Sequence, residues 1–271
     1  MVYEEDKAKI FIKGGGDLAT GVACRLYQAG FAIAMSELDK PLAVRRPVSF
    51  AEAVYQGDWT VEGIKASFVR DEEDFWLSHQ EGLIPVVPAA SYQFFQDLWK
   101  PDVIVDGRMM KRANDTFIDE APLVIGLGPG FNAGSDVDAV IETARGHYLG
   151  RAIWQGQAQP NTGRPGEIMG FSRERVLFSP AAGLFQTSKK IGELVEAGEV
   201  CGQGGGVEVK AKIPGIIRGV LKSGLEVTEG MKIGDVDPRG KREYCFTVSD
   251  KALAVGGGVL EAVMSYLSKR D

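Results

Sequence analysis

The chain is poor in the residues on which most side-chain chemistry depends. Its 271 residues include two histidines and three cysteines. Cys24, Cys201 and Cys245 are scattered with no paired spacing, so they suggest neither a disulfide framework nor a zinc cluster. The odd count, in a chain whose acidic start (Met1-Val-Tyr-Glu-Glu-Asp-Lys) is unlike a targeting segment, fits a reducing cytoplasm. No apolar run approaches the roughly 18 residues that span a bilayer, and no membrane contact is expected. Lys and Arg number 31 against 37 Asp and Glu, for a net charge of −6. Without a long basic stretch, that balance argues against a nucleic-acid surface. A Gly-x-Ser-x-Gly nucleophile turn is also missing. Cys24 lies in a helical stretch where a buried, inert thiol is the default, and Cys201 and Cys245 have no local base beside them.

Glycine, by contrast, is plentiful, at 35 residues. The run Lys13-Gly14-Gly15-Gly16-Asp17-Leu18-Ala19-Thr20-Gly21 follows the apolar Ile10-Phe11-Ile12 and precedes a helical pattern at Leu18, Val22 and Leu26. Gly14, Gly16 and Ala19 fit G-x-G-x-x-G/A, the turn that brings a backbone close to a pyrophosphate at a helix N-terminus. Glu37 closes the next apolar run, where a dinucleotide fold places its ribose-binding carboxylate. The alternative is a tight turn in which glycine only satisfies sterics. Arg45-Arg46 could contact an adenosine 2′-phosphate, but Glu37 would repel one, which favours a 2′-hydroxyl.

The first half alternates β-branched runs (9–12, 31–35, 66–69, 84–87, 103–105, 123–126) with helical stretches at 16–29, 71–81 and 92–99. The pattern predicts a parallel sheet with helices on both faces and ligands beyond its carboxyl ends. At those ends lie Gly14–Thr20, Glu37, Pro88–Ser91, Asp106-Gly107-Arg108 and Gly128-Pro129-Gly130. Arg108 could clamp a phosphate and Asp106 could act as a base, or the pair could be a capped turn with an arginine on its rim. Met109-Met110-Lys111-Arg112 adds charge beside them. His147 is the other candidate for proton transfer, or an ordinary surface histidine. Asp136, Asp138, Glu142 and His147 match no recognised ligand set, and no metal is predicted.

Beyond residue 130 glycine and proline become frequent and alternating β-type runs take over, at 139–143, 150–155 and 207–213. An internal repeat carries Gly183-Leu184 onto Gly215-Ile216, Lys190-x-Gly192 onto Lys222-x-Gly224 and Val195-x-x-Gly198 onto Val227-x-x-Gly230. It suggests two similar β units about a pseudo-two-fold axis. The stretch 214–230, P-G-I-I-x-G-V-L-x-x-G-x-x-V-x-x-G, resembles biotinyl and lipoyl carrier domains. Those domains modify a lysine on the hairpin between halves. Gly202-Gln-Gly-Gly-Gly206 stands there instead, and Met231-Lys232 falls after the second repeat, so carrier activity is not expected. Near the C-terminus, Ser249-Asp250-Lys251 has capping character, and Gly256-Gly257-Gly258 would be costly inside a helix: either the helix starts at Gly258, the favoured reading, or the glycines admit another backbone or a ligand. The expected fold class is thus a Rossmann-like parallel-sheet domain (1–130), a β-rich barrel-sandwich-hybrid-like domain (131–248, repeat 179–236) and a C-terminal helix (249–271).

Several motifs together resemble the YqeB family of selenium-dependent molybdenum hydroxylase system proteins. They are Lys13-Gly-Gly-Gly-Asp-Leu-Ala-Thr-Gly21, Pro41-Leu-Ala-Val-Arg-Arg46, Gly126-Leu-Gly-Pro-Gly-Phe131, Val140-Ile-Glu-Thr143, Arg145-Gly-His147, Pro160-Asn-Thr-Gly163, Asp235-Val-Asp-Pro-Arg239 and Ser249-Asp-Lys251. The match spans essentially the whole chain. It implies an accessory or maturation role, with a molybdenum hydroxylase or its maturation proteins as partners. The bound small molecule would be of nucleotide type: NAD or a molybdopterin dinucleotide. The expected contacts are Gly14, Gly15, Gly16, Asp17, Leu18, Ala19, Thr20, Glu37, Arg108, Gly128 and Gly130, in a cleft at the N-terminal domain. The rival readings are an NAD-dependent oxidoreductase and a scaffold without a ligand.

Overall fold

A computed structural model describes residues 7–110, 115–163 and 165–269. The chain divides into two compact units, the first made of residues 1–41, 49–161 and 248–271, the second of 42–48 and 162–247.

In the first unit, chain order runs β1 (Lys9–Lys13), α1 (Asp17–Gln28), β2 (Ala32–Glu37), α2 (Ala53–Gln56), β3 (Asp58–Val61), β4 (Ile64–Phe68), α3 (Glu72–Gln80), β5 (Ile84–Pro88), α4 (Tyr92–Trp99), β6 (Val103–Asp106) and β7 (Leu123–Leu127). The short strands β8 (Asn132–Ala133), β9 (Ala139–Ile141), β10 (Ala152–Ile153) and β11 (Gly156–Gln157) follow. Nine strands form one sheet in the order β10-β9-β7-β6-β1-β2-β5-β4-β3. Neighbours from β9 through β4 are parallel. Both edge pairs, β9–β10 and β3–β4, are antiparallel. Strand β1 is buried on both faces, as a central parallel strand requires. Phe11 packs with Phe75, Phe95 and Trp99 of α3 and α4, while α1 lies on β1 and β2.

The helix α5 (Asp250–Leu267) also belongs to the first unit. Ser249 caps it, its side chain accepting from the Ala252 N–H. The helix therefore begins eight residues before Gly258, the favoured start, and runs through all three glycines, which is the alternative in which they admit another backbone. Packing explains this. A methyl on Gly256 would meet the Gly21 carbonyl oxygen at 2.9 Å, and one on Gly258 would collide with the Gly150 carbonyl.

The second unit contains β12 (Val176–Phe178), β13 (Gly183–Gln186), β14 (Leu194–Val195), β15 (Val200–Gly204), β16 (Val207–Lys210), β17 (Gly215–Val220), β18 (Glu226–Val227) and β19 (Lys232–Asp237). They form two antiparallel four-stranded sheets, β12-β19-β17-β14 and β16-β15-β13-β18. The repeat is visible in the bonding: the Gly192 N–H donates to the Ile217 carbonyl, and the Gly224 N–H to the Phe185 carbonyl, each at 2.8 Å. Each half thus pairs with a strand of the other, β13 with β18 and β14 with β17. Phe185, Val195, Cys201, Ile217 and Val236 are among the apolar residues buried between them.

The expected fold class is therefore corrected. The architecture is a large mixed sheet accompanied by several antiparallel sheets, including the pair β8–β11, and not a Rossmann-like parallel sheet followed by a barrel-sandwich-hybrid-like domain. The physical reason lies in the connections. Glu62 and Gly63, with φ of 48° and 82°, make a tight hairpin that turns β3 back along β4, and β9 continues the large sheet beyond residue 130.

Candidate functional site

The carboxyl ends of β1 and β6 lie side by side, with Lys13 opposite Asp106. Both side chains are buried. The chain leaves β1 through Gly14, whose φ of 94° favours glycine. A side chain at Gly14 would also press on the Arg108 backbone, at 3.3 Å. Its N–H donates to the Ser36 carbonyl (2.8 Å).

Gly15 ties the turn down. Its carbonyl accepts from the Ala51 N–H (2.9 Å) and the Thr20 hydroxyl (3.1 Å), and that hydroxyl accepts from the Phe50 N–H (2.9 Å). Gly16 then caps α1 in an extended conformation, with no side chain bonded to the helix's first N–H groups. A Cβ there would meet nothing within 4 Å. Asp17 and Leu18 open α1, and Ala19 and Thr20 are buried in its first turn. A helix start of this kind directs backbone donors and the positive end of the helix dipole outward.

Glu37, at the end of β2, is brought to the same turn. Its Oε2 accepts from the Gly15 N–H (2.8 Å) and its Oε1 from the Leu38 N–H (2.7 Å). Burial raises its pKa above the usual carboxylate range, against the effect of these two bonds.

Arg108 and Asp106 also meet here, as partners of one another. Arg108 Nη2 donates to Asp106 Oδ2 (2.6 Å) and to Thr116 Oγ1 (3.0 Å), and it pairs with the exposed Asp115. Thr116 in turn donates to Asp106 Oδ2 (2.8 Å). Lys13 Nζ reaches Thr116 Oγ1 (2.8 Å) and Glu120 Oε2 (2.6 Å) and sits over the Tyr92 ring. Burial opposes the charge of Arg108, but Asp106 and Asp115 more than offset it, so the guanidinium holds its proton more tightly than usual. Burial, and then Glu120, push the Tyr92 phenol up. Two cations face three carboxylates, so the cluster carries no surplus positive charge for an anion while Asp115 stays in place.

The remaining candidates are placed elsewhere. Gly128 and Gly130 have φ of 75° and 116°. A side chain on Gly128 would strike Thr143 and one on Gly130 would press on the Met110 carbonyl at 3.2 Å, so positive φ together with packing accounts for both glycines. His147 is exposed in a turn with its ring against Tyr148, 5.0 Å between centroids. It takes no part in the hydrogen bonds that join Asp106 to Thr116 and Lys13. Asp136, Asp138 and Glu142 accept from the backbone N–H groups of Asn132, Val124 and Ala144. Among the described residues no three His, Cys, Asp or Glu side chains gather as a metal would need. Arg45 donates to the Tyr244 and Thr247 carbonyls and Arg46 to the Val220 carbonyl, all within the second unit. Lys111 and Arg112 lie outside the described residues. The three cysteines are buried and burial raises their pKa values, that of Cys24 to about 12, which makes them poor nucleophiles. No described helix is long and apolar enough to cross a membrane.

Lys13, Thr116 and Glu120 were not singled out from the sequence. Lys13 carried the available signal, a cation ending an apolar strand just before the glycine run. Its partners lie 103 and 107 residues away.

A glycine turn at a strand–helix junction, flanked by a buried ionic cluster, is thus the candidate site. Comparison with known proteins gives a relative: the uncharacterized protein YqeB of Escherichia coli K12, 48% identical over 255 residues, which are 94% of this chain. The chain spans about half (47%) of that relative's length. This supports the YqeB likeness that the motifs carry. No protein-family model matches. Among solved structures, an aspartoacylase family protein from Mesorhizobium loti is 10% identical, covering 86% of this chain and 85% of its own, at a TM-score of 0.25. The ectoine utilization protein EutE (DoeB) of Ruegeria pomeroyi is 11% identical, covering 84% and 56%, at 0.22. Likenesses this weak bear on neither fold nor chemistry.

Proposed function

We propose that this chain is an accessory or maturation protein for a selenium-dependent molybdenum hydroxylase and that it holds a nucleotide-type small molecule at the glycine turn. The observation that carries the binding reading is Gly16: an uncapped start to a twelve-residue helix, with open space where a side chain would stand. A phosphate there meets backbone donors and a favourable helix dipole. Glu37, already bonded to Gly15, is the group available for a ribose hydroxyl, and release of Asp115 leaves Arg108, still paired with Asp106, with an N–H to offer a second phosphate. The turn thus fits the phosphates of NAD or of a molybdopterin dinucleotide, and either would be carried as cargo. The accessory role rests on the YqeB likeness.

Native mass spectrometry of the protein purified anaerobically from its own host tests this reading. A retained pterin dinucleotide, lost in Gly16→Val, is the expected result. A nicotinamide dinucleotide would instead favour an oxidoreductase. A ligand that persists in Gly16→Val would place binding elsewhere.

A further inference from the structure

The strand β16 is the outermost of the sheet β16-β15-β13-β18. Among the described residues it is the longest edge of the second unit, with four residues against three in β12 and two each in β14 and β18. Short edge strands discourage pairing with another chain, and β16 is the edge that is not cut back. The strand β12 comes close to it from the other sheet, but bonds to β19 and not to β16.

The direction of its backbone groups follows from the turn before it. Gly205 and Gly206 have φ of 57° and 82°, both positive, as a two-residue type I′ hairpin requires. Gly204 and Val207 close the turn as a pair, and Val209 stands opposite Gly202. Just past the strand, the Ala211 N–H donates to the Glu199 carbonyl (2.9 Å), and the Ala211 carbonyl accepts from the Gly198 N–H (2.8 Å). Backbone groups alternate along a strand, so Val207, Val209 and Ala211 turn theirs toward β15 while Glu208 and Lys210 turn theirs outward. The register shift between Val200 and Gly202 lies in β15 and leaves this alternation intact. Among the described residues the outward groups of Glu208 and Lys210 bond to no other part of the chain.

The side chains have a matching order. Val209 is buried on the inner face of the sheet. Glu208 and Lys210 share the solvent face, each about half exposed, with Lys210 Nζ 3.1 Å from Glu208 Oε2. A second β16 laid antiparallel, with a two-fold axis at Val209, sets Glu208 opposite Lys210 of the second copy and Lys210 opposite its Glu208. Each of these pairs exchanges both backbone hydrogen bonds and brings opposite charges face to face. Moving the axis to Glu208 or to Lys210 would set like charges opposite one another, so the charges select one register.

We propose that β16 is an edge-to-edge contact between two copies of this chain, joining a sheet from each across a two-fold axis at Val209. A two-fold contact requires a surface that complements itself. The order of Glu208 and Lys210 about Val209 supplies it, which selects a second copy as the occupant. The contact uses no residue of the glycine turn and does not depend on the function proposed for that turn.

The test is sedimentation velocity of the full chain over a series of concentrations. The wild type is expected to show a concentration-dependent dimer. Glu208→Lys and Lys210→Glu each put like charges into both cross-strand pairs and should lose the dimer. An equimolar mixture of these two variants restores opposite charges in both pairs and should recover it. The double exchange, Glu208→Lys with Lys210→Glu, should dimerise as the wild type does. Both side chains are on the solvent face, and circular dichroism melts check that each variant folds; either single variant alone is decisive if the other does not. A wild type that stays monomeric at every concentration would overturn the proposal and leave the edge to a strand of a different protein. A dimer that persists in a folded single variant, or a mixture that stays monomeric while the wild type dimerises, would overturn it as well.

Discussion

Gly21 of α1 and Ala252 of α5 are in such close contact that a methyl on Gly21 would stand 2.6 Å from the Ala252 Cβ. The two helices therefore meet backbone to backbone, and the glycines of α5 must be judged one by one. At Gly257 a side chain would meet nothing within 4 Å, whereas at Gly258 it would enter the Gly150 carbonyl. Glycine to alanine inside a helix ordinarily gains about 1 kcal/mol. Gly257→Ala should stabilise the protein by up to that amount, and Gly258→Ala should destabilise it by about 1–3 kcal/mol through overpacking. Urea unfolding of the two variants checks the opposite signs.

His79 provides a pH prediction. Burial, followed by the charge of Lys9, lowers its pKa to about 4. In the unfolded chain the imidazole takes its proton near pH 6.5. Above that value both states are neutral and the full stability is present. As pH falls from about 6.5 to about 4 the unfolded chain binds a proton that the native state refuses, and stability drops by on the order of 3 kcal/mol. His79→Phe keeps a ring against Trp99, on which His79 stacks at 4.9 Å, and should remove this part of the acid sensitivity. Thermal melts at pH 7.5, 6 and 5 compare the two proteins. Identical slopes would show that His79 does not titrate in this way.

The turn between β15 and β16 passes through Gly205 and Gly206, both with positive φ, and residues 202–206 contain no lysine. A carrier-type modification has no acceptor there. Intact-mass measurement after expression in cells that biotinylate and lipoylate should show the unmodified mass. An increment of either group on Lys232 would contradict the prediction.

Much of the first unit was legible because its central strands are continuous apolar runs, read by composition alone. The strand β1, the glycine turn and α1 are local features, and the chain pattern contains them. The half-exposed β3, Asp-Trp-Thr-Val, was missed because only its pairing with β4 makes it a strand. The course of α5 through three glycines was the less favoured of two readings because propensity opposes it, and contacts with Gly21 and Gly150 decide it. The ionic cluster was half legible: Asp106 and Arg108 are neighbours in sequence, whereas Lys13 and Thr116 meet only in the fold.

Asp115 and Arg108 give a prediction with two directions. The exposed Asp115 carboxylate occupies Arg108, where it competes with an anionic ligand. Asp115→Ala should therefore strengthen ADP binding several-fold. Arg108→Gln should weaken it by about 1.5–3 kcal/mol, the usual worth of a hydrogen bond to a charged group. Lys232→Ala, in the second unit, should leave it unchanged. Calorimetry on the three variants decides, and equal affinities in all of them would remove Arg108 from the site.

The most direct test of the central claim is calorimetric titration of wild type and Gly16→Val with ADP, GDP, CDP and NAD. Gly16 has an ordinary extended backbone (φ −66°, ψ 176°) with open space around its Cβ position, so valine is expected to fold normally there. The account predicts saturable binding of at least one of these nucleotides by the wild type and its loss in Gly16→Val, with the melting temperature of the free protein unchanged. Binding of equal strength in both proteins, or none in the wild type, would contradict it.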